Sequence, residues 1–274
     1  MRASFSAFTI GLVASVVFVT GAMAGVGPWA EFDGGRARLL SDTNVNEATG
    51  QAWLEIELQA GWKTYWLEPG DGGVPPSITL QTGGQTIEPD LTMPAPTRFR
   101  DPNTVWAGYT DRTYISMTYP VSALSSPARL QASAFLGVCR EICIPVKLDL
   151  TAPPTDQPTV ATATERMREV GELPAAFSPG GVAPTIEQHG DTLTVTFEGN
   201  ELKGAEGAEL FVASTPRGLR LATPSSASDY GEGKLQFQVP ILKQKSAIED
   251  GNLGLLLSLA TGSYQGEAPL PHLK

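Results

Sequence analysis

Ala52-Trp53-Leu54-Glu55-Ile56-Glu57-Leu58-Gln59 alternates apolar and polar side chains, the period-two pattern of a half-buried β-strand. Leu54, Ile56 and Leu58 share one face of it. Working outward, similar short stretches recur at 36–40, 77–80, 113–119, 129–136 and 146–150. Between them lie turn-rich pieces such as Pro69-Gly70-Asp71-Gly72-Gly73 and Asp101-Pro102-Asn103. Many short strands with this punctuation predict an antiparallel sandwich.

The pattern stops at 151–158, where three prolines interrupt it. Residues 159–170 form the one helix candidate, with Glu165, Arg166, Arg168 and Glu169 on it and Pro174 beyond. Strand patterning resumes at 185–188, 192–197, 209–213, 235–239 and 253–259. Leu193, Val195 and Phe197 alternate there with Thr192, Thr194 and Thr196. The expected fold is all-β: a first sandwich over 25–152, a linker with a short helix over 153–180, and a second, smaller sandwich-like domain over 181–274.

Composition supports this class. The chain has 274 residues, 41% of them hydrophobic and 18% charged, which permits a sizeable core. The formal net charge is −10, so no cationic excess exists to displace counterions from nucleic-acid phosphates. With two cysteines and two histidines, a four-ligand Cys/His zinc site is hard to assemble. No cofactor is expected.

Residues 1–24 read as a signal peptide. Arg2 is followed by an apolar stretch and then by Ala22-Met23-Ala24, a small-x-small cleavage signal, which places the cut after Ala24. The longest later apolar run, 253–260, is far below the ~20 residues a bilayer-crossing helix needs. The expected location is the periplasm, an oxidising compartment in which paired thiols persist as a disulfide.

The sharpest chemistry lies in Gly137-Val138-Cys139-Arg140-Glu141-Ile142-Cys143-Ile144-Pro145. In a straight strand the two cysteine Cα atoms would stand ~13 Å apart, whereas a disulfide needs roughly 4.4–6.8 Å. The chain must turn between them. Three uses are open. A structural staple gains only ~2 kcal/mol from so short a loop. Thiol–disulfide exchange suits a short, reducible bond. A soft ion such as Cu(I) suits two thiolates, although Met93, Met117, Met167 and the histidines lie far off in sequence. Arg140 favours a thiolate and Glu141 opposes it, so local charge does not assign the nucleophile.

Aromatic residues concentrate in Gly61-Trp62-Lys63-Thr64-Tyr65-Trp66-Leu67-Glu68-Pro69-Gly70, in Pro94-Ala95-Pro96-Thr97-Arg98-Phe99, and in Trp106-Ala107-Gly108-Tyr109. Core packing explains such residues as readily as function does. Clustered in loops, Trp62, Tyr65 and Trp66 are candidates to roof a reactive site or anchor a partner.

In order along the chain, GWKTYW, PGDGGVPPSITL, PAPTRF, GY and CREICIP resemble the N-terminal periplasmic domain of the DsbD family of thiol:disulfide interchange proteins. The version they most resemble is that of the copper-tolerance reductases called ScsB. The resemblance covers roughly residues 30–151. It implies an immunoglobulin-like sandwich in which Cys139 and Cys143 are the exchanging pair. An aromatic loop caps the cysteines in that family, and by chain order Phe99, Trp106 and Tyr109 are its counterparts here. The implied partners are a membrane thiol reductase and periplasmic thioredoxin-like proteins. Full-length members continue into a transmembrane reductase and a thioredoxin-like domain. This sequence carries no CxxC, so the expected role is work with a separate membrane reductase, work as a shuttle, or a different role that keeps the fold.

Overall fold

The computed structural model describes residues 25–42, 49–70, 73–82, 84–101, 104–120, 129–153, 172–178, 181–229, 233–244, 248 and 251–273. The expected signal peptide and the helix over 159–170 lie outside these residues. Among the described residues no helix is long and apolar enough to cross a membrane.

Strands are numbered in chain order. One sheet places Ala30–Phe32 (β1), Gly35–Asp42 (β2), Thr49–Leu58 (β3), Arg112–Pro120 (β10) and Asp90–Thr92 (β7) side by side. The facing sheet orders Gln85–Ile87 (β6), Ser77–Thr82 (β5), Leu130–Cys139 (β11), Lys63–Tyr65 (β4), Thr104–Thr110 (β9) and Thr97–Asp101 (β8). Cys143–Ala152 (β12) pairs with the whole of β11, from Leu130 opposite Ala152 to Cys139 opposite Cys143. On its other side β11 meets β5 first and then β4. Every pairing in these two sheets is antiparallel. This is the antiparallel sandwich that the strand pattern predicts, in the immunoglobulin-like form that the family resemblance implies.

A second sandwich follows. One sheet holds Ala175–Ala176 (β13), Gly262–Pro269 (β21), Asn252–Leu259 (β20) and Glu209–Ser214 (β16). The other holds Ala183–His189 (β14), Thr192–Glu198 (β15), Lys234–Gln244 (β19), Leu219–Leu221 (β17) and Ser228–Asp229 (β18). Among the described residues no strand of one sandwich pairs with a strand of the other.

Alternation builds both cores. In the first, Leu54 and Ile56 of β3 and Ile115 and Met117 of β10 face Leu80 of β5 and Leu136 and Val138 of β11. In the second, Leu193, Val195 and Phe197 face Leu253, Leu255 and Leu257. Leu256 points the other way and, with Phe211 opposite it on β16, packs into the first core. This accounts for the unbroken apolar run around Leu256, because a strand buried on both faces needs no polar alternation. Arg98 reinforces the junction. Its side chain is 8% exposed and donates to the Leu210 carbonyl (2.6 Å) and to Glu209 Oε1 (3.2 Å). The guanidinium also lies 4.3 Å from the centre of the Phe211 ring.

The opening strand departs from the half-buried expectation. Leu58 is only partly buried, and the face opposite Leu54 is covered as well. Trp53 packs there with Leu40 and Tyr114, beneath Val26 and Leu173. Glu55 is fully buried beside them. It accepts hydrogen bonds from Arg38 Nε (2.6 Å) and from the Tyr114 hydroxyl (2.7 Å), which offset the cost of burying its charge.

Candidate functional site

The chain turns between the cysteines as their spacing requires. Arg140-Glu141-Ile142 forms the tip of the β11–β12 hairpin, with the Arg140 amide donating to the Ile142 carbonyl at 3.3 Å. The tip places the two Cα atoms 4.1 Å apart, and Cys139 and Cys143 are disulfide-bonded. Pro145 sits two residues inside β12 opposite Gly137. Among the described residues β12 pairs only with β11, and proline is tolerated on such an edge strand.

The two sulfurs differ in surroundings. Cys139 is 1% exposed and Cys143 is exposed. Val138 points into the core, so alternation turns Cys139 to the outer face of its sheet. Cross-strand neighbours share a face, and Lys63 and Tyr65 of β4 therefore stand on the same side as Cys139. The Tyr65 hydroxyl lies 3.1 Å from Cys139 Sγ and 3.2 Å from Cys143 Sγ. Disulfide sulfurs carry no proton, so the hydroxyl is the donor.

The Tyr65 ring fits between close-packed backbone. A Cβ on Gly137 would stand 2.7 Å from the Val74 side chain and 3.0 Å from the Tyr65 ring. Across β9, a Cβ on Gly108 would overlap the Thr64 carbonyl at 2.1 Å and press on the Trp106 ring at 3.0 Å. Trp106 meets Tyr65 edge-on with 5.6 Å between centroids. Phe99 stacks flat on Trp106 at 3.9 Å. The Lys63 ammonium sits 4.1 Å above the same indole. Tyr65, Trp106, Cys139, Val74 and Phe99 thus form one small cluster on the outside of the sheet.

Of the aromatics expected near the cysteines, the structure gathers Tyr65, Phe99 and Trp106. Trp62 is half-buried at the edge of this region, 5.8 Å from the Arg140 guanidinium and packed on Gly34. Trp66 and Tyr109 are corrections: both lie in the main core. Trp66 neighbours Tyr65 and Tyr109 is three positions from Trp106, and odd steps along a strand reverse the face. Trp66 packs edge-on against Phe211 of the second sandwich. The Tyr109 hydroxyl donates to the Pro94 carbonyl at 2.6 Å, and burial pushes its pKa well above the ordinary value. Tyr65, Phe99, Trp106 and Tyr109 lie on β4, β8 and β9, whereas Trp62 and Trp66 flank β4 outside any strand.

Sequence reasoning passed over Lys63 and Gly137. The signal for Lys63 is register, because it neighbours the cysteine cluster only once β4 is known to pair with the end of β11, whereas Gly137 lies in the cysteine motif itself and is marked by the Tyr65 ring packed against it. A cleft of about 550 Å³ between the sandwiches is bordered by Trp66, Glu68, Arg98, Trp106 and Phe211. Burial raises the Glu68 carboxyl above its ordinary value. Among the described residues no group of three or more His, Cys, Asp or Glu side chains is placed to hold a metal ion.

Comparison with known proteins agrees with this geometry. Residues 36–154 match the family model of the N-terminal region of thiol:disulfide interchange protein DsbD. No curated protein sequence matches the chain. The crystal structure of the N-terminal periplasmic domain of ScsB from Proteus mirabilis superposes with a TM-score of 0.73 at 19% identity, covering 91% of this chain and 99% of that one. That likeness extends the shared architecture over both sandwiches. Its first sandwich, with the cysteine hairpin at its edge, makes this chain the bearer of a DsbD N-terminal-like domain.

Proposed function

We propose that the protein is a periplasmic thiol–disulfide exchange module. It passes electrons between a membrane thiol reductase and periplasmic thioredoxin-like proteins through Cys139 and Cys143. The observation that carries this reading is the asymmetry of the pair: Cys143 is an exposed residue and Cys139 is 1% exposed, with a tyrosine hydroxyl within 3.2 Å of both sulfurs. A staple has no need of an accessible sulfur, whereas exchange requires one.

In the reduced protein Cys143, as the thiolate, attacks one sulfur of a partner disulfide. A Cys143–partner bond forms, and the other partner sulfur leaves as a thiolate and takes up a proton. Cys139 then gives up its proton and attacks Cys143 Sγ. The Cys139–Cys143 bond closes and the second partner sulfur departs. Two electrons have passed to the partner. The membrane reductase restores the pair by the reverse sequence. The Tyr65 hydroxyl donates toward both sulfurs and so stabilises whichever is anionic. Phe99 and Trp106 shelter the buried side of the bond, and Trp62 borders the docking face.

The proposal takes residues 1–24 as a signal peptide removed after Ala24, 25–152 as the redox domain, 153–180 as a linker and 181–274 as a second β domain. A role in copper tolerance belongs to the same proposal and rests on the resemblance of the motifs to ScsB-type proteins.

The test is a trap in periplasmic extract. Cys139→Ser leaves the attacking sulfur without its resolving partner, so covalent adducts accumulate on Cys143. Cys143→Ser accumulates none. Adducts on neither variant, or only on Cys143→Ser, overturn the assignment.

A further inference from the structure

The residue beside the open sulfur is the most exposed large apolar side chain among the described residues. Ile142 is 78% exposed, and only Leu242, at 56%, joins it in that class. The tip is a turn between paired strands, where polar residues are the usual choice. Arg140 and Glu141, its exposed neighbours, carry opposite charges and leave the tip formally neutral.

A mixed disulfide fixes what must happen to this side chain. A bond of ~2 Å between Cys143 Sγ and a partner sulfur brings the partner's surface against the hairpin tip. Ile142 precedes Cys143 directly and enters that contact. Its apolar surface is then either buried in a complementary recess or held against polar groups at a cost. We infer that Ile142 is the docking anchor of the exchange reaction, and that the partner is a thioredoxin-type protein whose reactive cysteine lies beside an apolar recess. The inference rests on the exchange reading and specifies its partner surface. Selection by such an anchor is by shape and apolar area, not by charge.

The experiment compares the full chain, reduced, with Ile142→Ser and Ile142→Leu. Each reacts with oxidised thioredoxin and, separately, with glutathione disulfide, which is too small to fill a recess and reach the sulfur together. Burial of one isoleucine predicts that Ile142→Ser reacts with thioredoxin roughly ten-fold more slowly. Ile142→Leu recovers to within about two-fold, as volume-conserving swaps do, and the glutathione rate is the same for all three. The side chain is solvent-exposed, so both variants keep the wild-type melting temperature. An Ile142→Ser protein as fast as wild type with thioredoxin overturns the anchor. So does an equal slowing with glutathione disulfide, because the residue then acts on the sulfur itself. A wild type that reacts with glutathione disulfide but not with thioredoxin refutes the partner type alone. A wild type that reacts with neither removes the exchange reading and the anchor with it.

Discussion

Replacing Tyr65 by Phe deletes one hydroxyl and keeps the ring that packs beside Gly137 and Trp106. In the oxidised protein that hydroxyl donates to two neutral sulfurs, at 3.1 and 3.2 Å. After reduction and loss of a proton the acceptor is anionic. Hydrogen bonds to charged groups contribute ~1.5–3 kcal/mol, against ~0.5–1.5 kcal/mol for neutral ones. The hydroxyl therefore favours the thiolate over the disulfide by about 1–1.5 kcal/mol. Its loss makes the thiol a weaker acid. At alkaline pH, where the thiolate prevails, it lowers the reduction potential by about 20–30 mV. The assay is the pH dependence of Cys143 alkylation by iodoacetamide in the reduced protein, paired with equilibration against dithiothreitol. Tyr65→Phe is expected to shift the alkylation midpoint upward and to make the pair a stronger reductant. An unchanged midpoint in a protein with an unchanged circular dichroism spectrum refutes the argument. The hydroxyl would then touch the sulfurs without distinguishing their charge states.

Two further outcomes follow from the scaffold. Arg98→Ala removes two hydrogen bonds and a cation–ring contact at the junction of the sandwiches. Chemical denaturation should show a loss of roughly 3 kcal/mol, and an unchanged midpoint would mean that the junction holds without it. Glu57 bears on pH. Burial works to raise its pKa, yet Arg36 and Arg112 outweigh burial and hold it below the ordinary value of 4.5. Its folded value is the lower one, so these ion pairs stabilise the protein above pH 4.5 and cease to as pH falls through the folded value. Glu57→Gln should be less stable than wild type at neutral pH, with the gap closing in acid. A gap that persists or widens at low pH would show that the pairs contribute nothing through charge.

Much of the fold was legible because alternation is a local property. Leu54, Ile56, Leu193, Val195 and Phe197 reach the cores their period assigns them. The buried outer face of β3 was not, because Glu55 is tolerable there only through Arg38 and Tyr114, which come from other strands. The cysteine pair was legible from spacing, and the roles of its two members were not. Which sulfur is open depends on Val138 facing inward and on β4 covering one end of β11. The same holds for the aromatic cluster. Composition marks GWKTYW as unusual, but only strand register separates Tyr65, at the sulfurs, from Trp66, in the core.

The hairpin that carries the disulfide is paired at every residue from Leu130 to Cys139. Its two ends are thus held together whether or not the sulfurs are joined. Closing so short a ring is worth only ~2 kcal/mol to a free chain, and here the backbone pairing has already restricted that freedom. Breaking the bond releases almost no disorder, and remaking it needs no search. The pairing predicts that the oxidised and reduced forms share one shape. Under the proposed exchange, a full electron cycle then contains no folding step, and turnover is set by how often a partner meets the tip and by the chemistry of three sulfurs in line.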